Sequence, residues 1–210
     1  MIAQRLFAFM LVCAVAFTGF AQVKNKDFKT KLKYAKKEAK GYEKEGWYVA
    51  PGDLPLEKQL EKTYGKQLEE DEYGFPKYLI ASGNSVAGTQ SAAKMQATEL
   101  AKLEIAGMME SQIASTIETQ LANNQINTEE AATLQKTVAA AKNIIATRMG
   151  RVIGLVEMYK DISKNKNIEC SVQVGYSVEM AQKMAIQAMK EELEDEASIA
   201  ADKLDKILGF

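Results

Sequence analysis

The chain has 210 residues, 47% of them apolar and 26% charged, with a formal net charge of −1. That composition excludes a disordered polypeptide, and near-neutral charge gives no reason to expect nucleic acid as a partner. The sequence has no histidine, which removes the commonest general base, the common catalytic triads and the usual zinc ligand.

Residues 1–21 read as a signal peptide. Arg5 supplies the positive start, Leu6 to Phe17 form an uncharged apolar run, and Gly19-Phe20-Ala21 offers a cleavage site that leaves Gln22 as the mature terminus. The run is short for a membrane span of about 20 residues, so no transmembrane span is expected in the mature chain. Cys13 follows Val12 inside the run; a lipobox needs a small residue there, so ordinary cleavage is favoured over lipidation.

Residues 22–76 are expected to form an N-terminal helical section. Phe28, Leu32, Ala35, Ala39 and Tyr42 repeat at helical spacing, so the many lysines between them are the solvated side of an amphipathic helix. This apolar stripe is expected to dock on the rest of the protein, with the long helices after Gly88 as its surface. A short extended piece, Trp47-Tyr48-Val49, precedes a second, charge-rich helix over Leu54 to Tyr73 carrying Leu56, Leu60, Tyr64 and Leu68 on one side, and Gly74-Phe75-Pro76 closes the section.

The main domain, 77–210, reads as β-α-α-β-β-α. A strand over "KYLIASGNSV" leads through Gly88 into a helix from Ser91 to Asn123 rich in good helix formers. Asn127 to Glu130 form an N-cap signature for a helix with Ala131, Leu134, Val138, Ala141, Ile145 and Met149 on one face, which Gly150 stops. The strand "RVIGLVEMYKDI" is apolar on both sides and is therefore expected to be central. Ser163 to Asn167 form a hairpin loop into a strand where Ile168, Cys170, Val172, Val174 and Tyr176 alternate with polar residues or Gly175. Cys170 thus falls on the core face, behaving as a small hydrophobe, and, as the one cysteine after the leader, it excludes an intrachain disulfide. Ser177 caps a last long helix running through Leu193 and Leu204. The expected class is α+β: an antiparallel sheet of about three to four strands with long helices on one face.

Gly83 and Gly88 are spaced like the glycines of a phosphate-binding loop, but Thr89-Gln90 stand where lysine and then serine or threonine are needed. The glycines are assigned to backbone geometry, as strand end, bulge and start of a helix, and no nucleotide is expected. The run "EELEDE", Glu191 to Glu196, lacks the glycine and ligand alternation of a calcium loop and reads as a solvated face. Glu69-Glu70-Asp71-Glu72 could hold a glycosidase pair, but such pairs sit beside aromatic platforms and aromatics are only 8% of the chain. Met95, Met108, Met109, Met158, Met180, Met184 and Met189 are assigned by default to the core. No catalytic, cofactor-binding or metal-ligating residue is named.

The strand ending "ASGNSVAG" followed by "SAAKMQATELAKLEIAGMMESQIAS", and later "RVIGLVEMYKDI" and "NIECSVQVGYSVEMAQKM", resemble the Lpp-twenty family of bacterial envelope lipoproteins over roughly residues 77–193. The resemblance implies an envelope-exposed α+β module with no known active site; residues 22–76 lie outside it. The leader's Ala-Gln ending is similar to those of the Bacteroidetes. The expected function is a non-enzymatic, exported envelope component, periplasmic or outer-membrane associated, with secretion as the alternative, binding an envelope protein, itself or the cell wall. The alternative is a carboxylate-based hydrolase or small-ligand-binding protein, which a pocket converging on two carboxylates would favour.

Overall fold

Residues 29–162, 166–194 and 204 are described by the computed structural model; residues 1–28, Phe28 of the apolar stripe among them, 163–165, 195–203 and 205–210 lie outside them. Helix α1 covers residues 29–44 and α2 Leu56–Gln67; strand β1 covers Tyr78–Ala87, α3 Gln90–Ala122, α4 Thr128–Arg148, β2 Ile153–Ile162, β3 Asn167–Ser177 and α5 Val178–Glu194. The protein is α+β, helix-dominated, with a three-stranded antiparallel sheet in the order β1-β3-β2.

Local sequence accounts for most boundaries. Thr89 caps α3 by accepting from Ala92 N–H, and Asn127 and Glu130 form a reciprocal capping box on α4. Ser177 Oγ accepts from Met180 N–H at the start of α5. Helix α1 ends in a Schellman arrangement: Trp47 N–H donates to Tyr42 O and Gly46 N–H to Glu43 O, with Gly46 at φ +90°.

Among the described residues two apolar clusters fill the interior. The larger joins Ala81 of β1 and Cys170, Val172, Val174 and Tyr176 of β3 to the buried residues of α3, α4 and α5, with Leu204. Along α3 the buried positions Ala93, Ala97, Ala101, Ile105, Met109, Ile113 and Ile117 recur every four residues, giving a narrow stripe whose alanine half lets the helix approach the sheet closely. Gly83 carries that approach further: a Cβ there would meet the main chain of Ala97 and stand 2.7 Å from Ala101 N. Gly107, mid-helix, sits beside Lys142 of α4, whose Nζ would lie 3.4 Å from an added Cβ.

The smaller cluster joins Ala35 and Ala39 of α1, Leu56 and Leu60 of α2, and Val156 and Met158 of β2. Tyr42 packs beside it, and Leu32 of the same stripe is half-buried. The N-terminal stripe therefore docks, but on β2 rather than on the long helices expected to receive it. Val156 and Met158 alternate with Tyr159, which belongs to the larger cluster, so the two clusters occupy opposite faces of β2.

This corrects the expectation that β2 is central. It is an edge strand, buried on both faces because α1 and α2 cover the side turned away from Tyr159. Its outer edge is closed by Tyr48, which exchanges two main-chain hydrogen bonds with Tyr159 (2.8 and 2.7 Å). An apolar run reports two covered faces; it does not report what lies beside the strand.

Candidate functional site

Between α2 and β1 the chain makes a tight turn that pushes two aromatic rings outward. Lys77 N–H donates to Glu69 O (2.9 Å) and Asp71 N–H to Phe75 O (2.8 Å). The Asp71 carboxylate accepts from the N–H groups of Tyr73 and Phe75 (2.9 and 2.8 Å), and Gly74 takes φ +87°. With the turn's polar groups satisfied internally, Tyr73 is left 78% exposed and Phe75 67% exposed. The rings border a groove of about 810 Å³ that also takes in Glu72, Tyr78, Gln112 of α3 and Glu179 of α5.

Carboxylates gather here, but not as a catalytic pair. Asp71 is engaged in holding its own turn, and Glu179 is ion-paired with Lys183 (2.6 Å), which holds its carboxyl below the usual range. The groove offers flat apolar rings, side-chain amides and negative charge, which is chemistry for binding. Aromatics are scarce over the whole chain, and the signal for this groove is local: Tyr73, Phe75 and Tyr78 sit within the same dozen residues as the acidic run.

A smaller cavity of about 360 Å³ lies where α2 and α3 straddle β2, lined by Asp53, Gln59, Lys62, Lys94, Glu157 and Gln173 among others. Glu157 is its centre. Lys94 Nζ reaches Oε2 at 2.7 Å, Tyr159 O–H donates to Oε1 at 2.6 Å, and Glu157 N–H donates to Gln59 Oε1 at 2.6 Å. Gln59 in turn donates to Leu54 O (2.7 Å), and Lys62 Nζ to Gly154 O (2.8 Å) beside the irregularity in β2. Both oxygens of Glu157 are thus engaged by neighbouring side chains, and Asp53 is the second carboxylate of the lining. Gln173 Oε1 is buried and accepts no hydrogen bond from the described residues.

Cys170 stands next to this network. Burial, and then the negative charge of Glu157, push its thiol up to about 11, so it stays protonated near neutrality and is a poor nucleophile. Burial and the bond to Glu157 likewise raise Tyr159. The thiol sits on the core face, as its period-two pattern indicates.

No family model matches this chain, and no curated protein or solved structure matches it either.

Gly83 lies mid-strand rather than at a strand end or bulge, and only Gly88 lies in the turn before α3. Among the seven methionines assigned to the core, Met109, Met158 and Met189 are buried, whereas Met95, Met108 and Met180 are exposed, a partial correction of that assignment. Glu191 faces solvent in an ion pair with Arg148 (2.6 Å); Asp195 and Glu196 lie outside the described residues. Among the described residues no group of three histidine, cysteine or carboxylate side chains is close enough to hold a metal ion. No described helix is long and apolar enough to cross a membrane.

Proposed function

We propose that this chain is an exported envelope protein that works by association, with another envelope protein or with the cell wall, and catalyses no reaction. The observation that carries the reading is the turn at Asp71: it spends its carboxylate on its own backbone and thereby displays Tyr73 and Phe75. Exposed rings held by rigid backbone are expensive for folding and useful for recognition. The likeness to the Lpp-twenty family over residues 77–193 supports the placement, and cleavage after Ala21 would deliver the chain there. On this reading α3, α4 and α5 form one layer against the Cys170 face of the sheet, leaving the groove open at its end.

The test is retention of the tagged mature protein by isolated envelope fractions. Tyr73→Ala combined with Phe75→Ala should lower retention at least about tenfold, the loss expected of an interface centre, with Tm unchanged. Retention indifferent to both rings, or hydrolysis of envelope glycan by the pure protein, would defeat the proposal.

A ligand-binding reading is favoured by one observation, the unsatisfied Gln173 Oε1 in the Glu157 cavity. A small polar ligand carrying a donor, and an anionic group for Lys62, would complete it. Thermal shifts against a panel of such metabolites, lost in Gln173→Leu, would support it; a flat panel would remove it.

A further inference from the structure

The two outer edges of the sheet differ. That of β2 is closed by Tyr48, whereas nothing among the described residues pairs with the outer edge of β1. Val178 N–H donates to Lys77 O (3.0 Å), which sets the alternation of the antiparallel ladder beginning at Tyr78↔Ser177. Leu79, Ala81, Gly83 and Ser85 therefore bond to β3, and Ile80, Ser82, Asn84 and Val86 turn their N–H and C=O groups outward. The ten residues of β1 hold no charge, no proline and no bulge, the devices that ordinarily stop an edge strand from pairing.

One flank of α3 overhangs this edge. Gln96, Leu100, Glu104 and Met108 each precede a buried core residue of α3 by one position, so they lie about 100° round the helix from the core line. Ser85 Oγ donates to Gln96 Oε1 (2.6 Å), which fixes that flank on the β1 side, while the Lys94–Glu157 pair puts the opposite flank over β2. Leu100 is 48% exposed. Four helical residues advance about 6 Å and two strand residues about 6.7 Å. A strand added to β1 would thus bring every second side chain against successive residues of the flank.

We infer that the β1 edge is an acceptor for an extended segment of another protein, added as a strand beside Ile80 to Val86 under the flank of α3. The inference rests on the association reading and names its partner. Side chains facing α3 are apolar against Leu100 and Met108, and Lys or Arg against Glu104. Past Tyr78 the segment runs into the groove, whose lining carries Asp71, Glu72 and Glu179 with Lys77, Lys183 being paired to Glu179, and where a basic side chain meets carboxylate and exposed rings. Strand addition takes its affinity from main-chain bonds and its specificity from alternate side chains. A second copy does not fit. Continuing the sheet would set two β1 strands about 4.8 Å apart, and α3 lies against β1 at Gly83, whereas packed helices need about 8–10 Å.

The experiment uses the full mature chain and a nine-residue peptide alternating threonine with valine, with one valine replaced by lysine. Amide exchange is followed residue by residue. In the free protein the amides of Ile80, Ser82, Asn84 and Val86 should exchange fast and those of Leu79, Ala81, Gly83 and Ser85 slowly; the peptide should protect the fast set. Ser82→Pro removes an outward N–H while leaving the bonds to β3, and should weaken peptide binding about tenfold. Glu104→Lys, on the exposed flank, should weaken the lysine peptide but not an all-valine one, keeping a test available should the proline variant fold poorly. Peptide binding without protection of the fast set, absence of binding at millimolar peptide, or protection of that set by dimerisation would each overturn the inference. Envelope retention lost in the Tyr73 and Phe75 double variant but kept in Ser82→Pro would leave the association reading standing and remove strand addition.

Discussion

Gly83 of β1 rests against the main chain of α3 at Ala97, with no side chain between strand and helix. Any Cβ at position 83 meets backbone, which cannot rotate away. Gly83→Ala should therefore destabilise the fold by about 2–3 kcal/mol or more, the range of overpacking. Gly88, with open space around it and no positive φ, should accept alanine within about 0.5 kcal/mol. Denaturant midpoints of the two variants check this, and equal losses would refute the assignment. ATP at millimolar concentration should leave both midpoints where they are.

The thiol offers a second check. Cys170 is fully buried on the sheet face covered by α3, with its pKa pushed up to about 11. A maleimide should label it slowly in the native protein and rapidly in denaturant. Replacement by aspartate would bury a carboxylate with Glu157 already nearby, and should cost about 3 kcal/mol or more. Fast native labelling would mean that the sheet face is open.

Periodicity made much of this legible. The alternation around Cys170 identified the buried face of β3, the capping signature at Asn127 marked α4, and the stripe Leu32, Ala35, Ala39 marked the buried side of α1. Neighbours were not legible, because a pattern of apolar residues states that a face is covered without stating by what. Hence β2, covered on one face by the larger cluster and on the other by α1 and α2, looked central. The candidate groove was hidden because the expected second helix ran on to Tyr73, whereas α2 stops at Gln67 and Asp71 holds the rings of Tyr73 and Phe75 outward in a turn.

The docking of the N-terminal section can be tested through Met158, which is buried between β2 and the helices α1 and α2. Met158→Ala should cost about 2–5 kcal/mol, and should speed tryptic cleavage in the lysine-rich helix α1 relative to cleavage in α3. If α1 were attached only by its chain connection, the variant would leave both the midpoint and the cleavage order unchanged.

Alkaline pH tests the same interface by a different route. Tyr64 of α2 donates its hydroxyl to Glu38 of α1 at 2.5 Å, and that bond, followed by burial, raises it from 10.0 to about 12. The bond needs the protonated phenol, so the folded state holds the proton more tightly than the unfolded chain. With the folded pKa above the unfolded one, the stabilising contribution is complete below pH 10 and disappears as pH climbs towards 12. Cys170 behaves alike between 9.0 and about 11. Unfolding midpoints should thus hold steady to about pH 9 and fall beyond it. Glu38→Gln should bring Tyr64 back towards its ordinary value, less the part due to burial, flattening the fall in its upper half. Tyrosinate absorbance would follow the phenol directly. A Glu38→Gln variant titrating like the parent would show that the α1–α2 hydrogen bond is not what holds the proton on Tyr64.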